Sequence, residues 1–189
     1  LKPGAGMEDM TMDMGGAGVV SGVMRSLALR KAKANVVGLV GIVENMPSST
    51  ATRPGDVIKT MKGDTVEVII GLGHDNAGVF SNDDTLCNAF LKAAQTEGEG
   101  AWRMPLGAGY DKLLKSRIAD MKNIGGRPAG SITAAQFLQR FIKDGTPWIH
   151  LDIAGVASVK SETALAPVGA TGWGVAALNR LISNLYETE

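Results

Sequence analysis

The sequence has few of the features that mark secreted, membrane-spanning or nucleic-acid-binding proteins. Its one cysteine, Cys87, cannot form a disulfide within the chain, which is compatible with a reducing compartment. No apolar run approaches the length that spans a bilayer, and the start does not resemble a signal peptide. The 19 basic and 19 acidic side chains cancel, so net charge does not indicate a nucleic-acid partner, although a local basic patch stays open. We therefore expect a soluble, cytoplasmic protein without a membrane partner.

Several catalytic and nucleotide-binding motifs are missing as well. The chain contains no His-Glu-x-x-His, no Gly-x-Ser-x-Gly, no paired Cys-x-x-Cys and no phosphate-binding Gly-Lys-Ser/Thr loop. Residues 16–21 come close to a dinucleotide-binding turn, but Ser21 replaces the last glycine. Cys87 falls in a helical pattern, which indicates a buried thiol rather than a nucleophile. These common motifs therefore assign no function.

The features that do suggest chemistry lie in residues 1–30. Pro3 biases Lys2 to an extended backbone, and Asp13 comes just before a glycine-rich turn that opens onto an apolar helix. The helix has a buried stripe, which consists of Val19, Val20, Val23, Met24 and Leu27. An aspartate at this place can cap the helix, and local sequence alone favours that interpretation. The alternative is that Asp13 holds a cation and that Lys2 reaches the same pocket.

Seven blocks of sequence occur in the order that is found in one protein family. The first comprises residues 2–3, 6–10 and 12–17, and the others are residues 44–48, 53–57, 63–68, 119–123, 125–127 and 150–155. In these blocks the chain resembles the catalytic domain of the leucyl (cytosol) aminopeptidase family. The resemblance covers nearly all 189 residues, and seven ordered blocks are far more specific than one motif.

The resemblance implies a metal-dependent aminopeptidase that releases N-terminal residues, leucine preferred, from peptide substrates. It implies Lys2 as the catalytic residue at the substrate carbonyl, Asp13 as a metal ligand, and Met10 and Ala170 as substrate-binding residues. Two divalent metal ions, Zn²⁺ and/or Mn²⁺, would activate a water molecule, and bicarbonate could serve as the general base. By the same resemblance we expect a homo-hexamer.

The sequence departs from the family's pattern where several metal ligands are expected. The family places a metal-binding strand before the position of Leu1, and a loop with two metal-binding carboxylates and an arginine between Val68 and Ile70. Neither is in the sequence, and neither is the family's N-terminal domain. Residues 1–189 therefore read as an incomplete catalytic domain. The alternative is a catalytically silent relative that acts in assembly or DNA binding.

The apolar patterns predict an α/β fold, a layered domain in which helices flank a central, largely parallel or mixed sheet. Interior strands are predicted at residues 35–43 and 147–155, and two shorter strand pieces at residues 57–70. Helices are predicted at residues 82–97, 110–121, after residue 128 with Ser131 as its cap, and 173–187.

His150 and Asp152 would share one face of the second interior strand, because side chains alternate along a strand. Such a pair could be a general base with its orienting carboxylate, or half a metal site. No nucleophile-like Cys or Ser lies nearby, and no third ligand is in register. We therefore favour a structural role for the pair.

Overall fold

The computed structural model describes residues 14–42, 67–126 and 128–187. The helices in these ranges are α1 (Gly15–Leu29), α2 (Glu67–Leu72), α3 (Asp84–Glu97), α4 (Ala108–Asp111), α5 (Gly130–Gln139) and α6 (Val175–Tyr186). The strands are β1 (Ala77–Ser81), β2 (Ala101–Arg103), β3 (Ile149–Asp152), β4 (Ser158–Val159) and β5 (Gly169–Ala170). The predicted α/β class is therefore confirmed.

A mixed sheet lies at the centre, in the order β2-β1-β3. Strand β1 runs parallel to β2, with Gly78 opposite Trp102, and antiparallel to β3, with Phe80 opposite His150. All five residues of β1 are buried, as expected for a strand with a neighbour on each side. The sequence prediction missed β1 and β2, whereas the predicted strand at residues 147–155 is confirmed as the shorter β3.

Helices α3 and α6 cover one face of this sheet. Asp83 caps α3, its side chain accepting a hydrogen bond from the backbone N–H of Leu86 at 2.7 Å, and Gly98 ends the helix in the left-handed conformation. The packed side chains include Val79, Cys87, Phe90, Trp173 and Leu181. The buried state of Cys87, predicted from its helical pattern, is confirmed.

Helix α5 packs against the opposite face of the sheet. Phe80 points to this side and is fully buried against Ile132 and Ala135. The predicted cap Ser131 is wrong, because α5 begins one residue earlier and Ala129 holds the N-cap position. The predicted helix at residues 110–121 also ends early: α4 is followed by a 3₁₀ turn over Lys112–Leu114, and Ile118 is 93% exposed.

Two strand predictions are wrong. Residues 35–42, predicted as an interior strand, belong to no strand in the described part of the chain, and their apolar side chains are largely exposed. Residues 67–70, predicted as the end of a strand, begin α2 instead. The predicted loop at residues 44–56 and the remaining strand residues 57–66 lie outside the described residues.

Candidate functional site

Of the four predicted site residues, the structure describes one. Lys2, Met10 and Asp13 lie outside the described residues, so the structure does not show whether they come together. Ala170 lies in β5, opposite Ser158 of β4, and its side chain is exposed. Ala170 is therefore free to contact a molecule bound beside the β4-β5 pair.

The segment between β3 and β4 connects the β4-β5 pair to the start of α1. The backbone N–H of Thr171, next to Ala170, donates a hydrogen bond to the carbonyl of Ala157 at 3.0 Å. A Cβ added at Gly15 would lie 3.4 Å from the Cβ of Ala157 and 3.1 Å from the Cδ1 of Ile153. The neighbour of Ala170 is therefore bonded to Ala157, which lies beside the first residue of α1. Helix α1 follows Asp13, the predicted metal ligand, in sequence.

The turn that follows Ala170 is held by side chains as well as by backbone. The Thr171 hydroxyl donates to the carbonyl of Val156 at 2.6 Å and accepts from the N–H of Trp173 at 3.1 Å. The indole Nε1 of Trp173 donates to the carbonyl of Gly100 at 3.1 Å. The turn is therefore bonded both to the chain beside β4 and to the start of β2.

A buried carboxylate, which the sequence analysis missed, completes these contacts. Glu99 accepts hydrogen bonds from the N–H groups of Gly174 and Ala177, each at 2.9 Å, at the start of α6. Glu99 precedes Gly174 by 75 residues. No local pattern could have linked the two, because such a contact depends on the tertiary fold.

A cavity of about 600 Å³ lies behind this turn. Its walls include Glu99, Thr171, Trp173 and Leu165, but Ala170 is not among its lining residues. The cavity and the exposed side chain of Ala170 are therefore separate features.

The predicted His150 and Asp152 pair lies on the α5 face of the sheet. The His150 ring stacks on Trp148, with centroids 6.1 Å apart, and lies 5.7 Å from the Phe80 ring. Burial lowers the pKa of His150, and the nearby Asp152 carboxylate partly opposes that shift. Asp152 accepts a hydrogen bond from the N–H of Ala154 at 3.2 Å. These contacts agree with the structural role that the sequence favoured.

Within residues 14–42, 67–126 and 128–187, no group of three or more His, Cys, Asp or Glu side chains could hold a metal ion. The described side chains therefore do not form a metal centre by themselves. The same ranges contain no helix that is long and apolar enough to cross a membrane.

Comparison with known protein families gives a match over nearly the whole chain. The description of the matching family is "Cytosol aminopeptidase family, catalytic domain", and the match covers residues 1–70 and 65–179. The chain belongs to the cytosol aminopeptidase family. The resemblance seen in the sequence blocks is thereby confirmed.

Bacterial relatives in the cytosol aminopeptidase family match almost the whole chain. A protein of Dinoroseobacter shibae named "Probable cytosol aminopeptidase" is 64% identical over 224 aligned positions, which cover 99% of this chain and 46% of the relative. A protein of the same name from Cereibacter sphaeroides is 61% identical, with the same coverage. The chain spans about half the length of the curated relatives it matches.

Solved structures of the same kind share the fold. A tomato leucine aminopeptidase mutant has a TM-score of 0.75 and 28% identity, over 94% of this chain and 42% of that one. A bottromycin maturation enzyme, solved in complex with Mn, has a TM-score of 0.61 and 37% identity, over 64% of this chain and 27% of that one.

Proposed function

We propose that this chain is part of the catalytic domain of an aminopeptidase that releases N-terminal residues from peptides, with leucine preferred. The observation that carries the proposal is the family match over residues 1–70 and 65–179. The likeness to a leucine aminopeptidase over 94% of the chain supports the same reaction class, peptide hydrolysis. The cytosolic name of the relatives supports a cytoplasmic location, and the family resemblance supports a homo-hexamer.

The proposal includes two divalent metal ions, Zn²⁺ and/or Mn²⁺, with bicarbonate as general base. Bound divalent ions supply an activated water at neutral pH. The Mn in the bottromycin enzyme structure supports such ions. Asp13 is the proposed ligand from this chain, and since residues 14–42, 67–126 and 128–187 form no metal centre, further ligands would come from outside those ranges, including the family segments that the sequence lacks. Lys2 would place its ammonium against the substrate carbonyl, where charge develops during the reaction.

Met10 and Ala170 are the proposed contacts for the side chain of the substrate's first residue. Two observations support this role. The side chain of Ala170 is exposed, and the adjacent Thr171 is bonded to Ala157, which lies beside the start of α1. Because alanine is small, it would leave room for an aliphatic side chain such as that of leucine.

A segment between Val68 and Ile70 is part of the proposed natural enzyme, as are residues before Leu1. The alignment with the first relative has 224 positions and the chain has 189 residues, so at least 35 positions have no counterpart in this chain. The family match is divided at residues 65–70, which supports a break at that point.

A second function follows if the chain is naturally this short. Asp13 and Lys2 cannot hold two dications alone. The chain would then be a catalytically silent relative that acts in assembly or in DNA binding. The intact mass of the natural protein decides between the two functions: 19.7 kDa supports the silent relative, and a much larger mass supports the enzyme.

The test of the enzyme is hydrolysis of a leucine anilide with added Mn²⁺, repeated after chelation. We expect turnover that chelation abolishes and that Lys2→Ala reduces by a factor of about a hundred or more, as for the loss of one oxyanion donor. Lys143→Ala, at an exposed lysine beyond α5, is the control and should leave turnover unchanged. A folded natural protein that hydrolyses nothing with Mn²⁺ supplied would support the silent relative instead.

A further inference from the structure

The contacts of Glu99 point to a role beyond stability. Glu99 is 8% exposed, and among the buried polar side chains of the described residues it is the one with a carboxylate. A buried charge is strongly unfavourable unless hydrogen bonds satisfy it. Here both carboxylate oxygens accept backbone N–H groups, one from Gly174 and one from Ala177. The whole charge of Glu99 is therefore committed to the first turn of α6.

Helix α6 receives no cap from its own N-cap residue. Gly174 holds that position with φ +92° and has no side chain. The N-terminus of a helix has unpaired N–H groups and a partial positive charge, so a carboxylate there is stabilising. Glu99, which lies two residues before β2, supplies the cap from a distant part of the chain. Its hydrogen bonds hold the N-terminus of α6 in place.

The same contact region reaches the turn that carries Ala170. Trp173 adjoins Gly174, and its indole N–H is bonded to Gly100, the neighbour of Glu99. Thr171 is bonded to Trp173 on one side and to Val156 on the other. Glu99 and Gly100 thus hold the two residues that end the turn, and only Thr171 and Gly172 separate Trp173 from Ala170.

We propose that Glu99 is a positioning residue for the substrate-binding wall at Ala170, and that it thereby sets selectivity for the side chain of the first substrate residue. This inference rests on the proposed function of Ala170. Glu99 would touch no substrate atom and would act through α6 and the turn.

The first test compares selectivity in the natural enzyme with Mn²⁺. Glu99→Gln keeps the size of the side chain, but its NH₂ group then faces a backbone N–H, so one of the two hydrogen bonds is lost. We expect the ratio of kcat/KM for leucine anilide to that for alanine anilide to change about threefold or more, within the range for one hydrogen bond. A loss of folded protein lowers both rates equally and leaves this ratio unchanged.

Glu97→Gln is the matched control. Glu97 lies two residues earlier and also contacts α6, but it pairs with Arg180 in the middle of that helix. Its substitution removes the same charge without touching the first turn of α6, so the selectivity ratio should stay at the wild-type value. An unchanged ratio in Glu99→Gln, or an equal change in Glu97→Gln, would overturn the proposal.

Hydrogen exchange provides a readout that needs no activity. In Glu99→Gln, faster exchange should reach residues 170–173 as well as the amides of Gly174 and Ala177. Faster exchange confined to Gly174 and Ala177 would mean that Glu99 caps α6 alone, and would overturn the proposal. If the wild-type enzyme hydrolyses neither anilide, the proposed function fails while exchange still decides the role of Glu99. If Glu99→Gln does not fold, Glu99→Asp is judged by the same criteria.

Discussion

Two apolar segments of this chain lie in opposite surroundings. In β1, Val79 and Phe80 are completely buried between two neighbouring strands and two helical layers. In residues 35–42, Val37 is 82% and Leu39 is 83% exposed. One side of that run does touch the protein, because a Cβ at Gly38 would lie 2.7 Å from the Cγ of Met24 in α1. Within the part of the chain that the structure describes, the outer side has no cover, which shows that apolar composition predicts a need for burial but does not supply the neighbour.

The relatives contain additional chain that could cover the exposed side of residues 35–42. At least 35 positions of the first relative have no counterpart in this chain, and the family match is divided at residues 65–70. A strand with apolar residues on both faces is stable only when both faces are covered.

Inserting the relative's extra segment at residues 65–70 should cover the exposed run. Full burial of an aliphatic side chain contributes about 1.5–3 kcal/mol, so covering Val37, Leu39 and Ile42 should add several kcal/mol to the free energy of unfolding. Urea titration measures the gain, and binding of a hydrophobic dye should fall. A scrambled insert of the same composition is the control; equal gains from both inserts would contradict the explanation.

Phe80→Ala should be strongly destabilising, whereas Leu39→Ala should not. Removing a fully buried phenylalanine leaves a cavity and costs about 3–5 kcal/mol. The exposed Leu39 has little to lose, so its substitution should stay within about 0.5 kcal/mol. Chemical denaturation of both variants gives the comparison. A loss of more than about 2 kcal/mol for Leu39→Ala would mean that the run is already packed in solution.

An added methyl group should be more costly beside the packed sheet, at Gly100, than in the exposed run, at Gly38. A Cβ at Gly100 would lie 1.8 Å from the backbone carbonyl oxygen of Asp75, which cannot move without shifting the chain. Gly100→Ala should therefore cost about 1–3 kcal/mol or more. At Gly38 the obstacles are side-chain atoms of Met24 and Val20 rather than backbone, so Gly38→Ala should cost less. Thermal unfolding of both variants measures the difference, and the reverse order would contradict the packing described.

The smallest predicted effect is a pH dependence at the packed sheet. Because burial lowers the pKa of His150, the folded state favours the neutral ring, and below its ordinary value of 6.5 the unfolded chain binds more protons. The contribution of His150 to the free energy of unfolding is thus present above pH 6.5, and it is lost as the pH falls towards the pKa of His150 in the folded state. His150→Phe should flatten this part of the profile in urea titrations. An unchanged slope in His150→Phe would exclude the imidazole as its source.

Local chemistry made some elements predictable from sequence. The cap Asp83 and the spacing of Phe90 and Ala94 predict α3 because they depend on neighbours within a few turns. Strand β1 was missed because Gly78 and Ser81 weaken its apolar pattern, and β2 because it has only three residues. These strands exist through their pairing with each other and with β3, which no short window contains.

The candidate site also combines residues with a local sequence signal and residues without one. Local sequence left Asp13 open between a helix cap and a metal ligand, and the roles of Lys2, Met10 and Ala170 came from the family resemblance alone. Three of these four residues lie outside the described residues, so their roles stay predictions. Glu99 had no signal in sequence, because its partners Gly174 and Ala177 lie 75 and 78 residues away.

The exposed run also bears on how this chain behaves at high concentration. Residues 36–42 contain no charge and no proline, and five of the seven are valine, leucine or isoleucine. Segments of this type pair with copies of themselves and stack into fibrils when they stay uncovered. We therefore expect this short segment to limit the solubility of the chain, and a charged side chain in place of Leu39 to raise that limit.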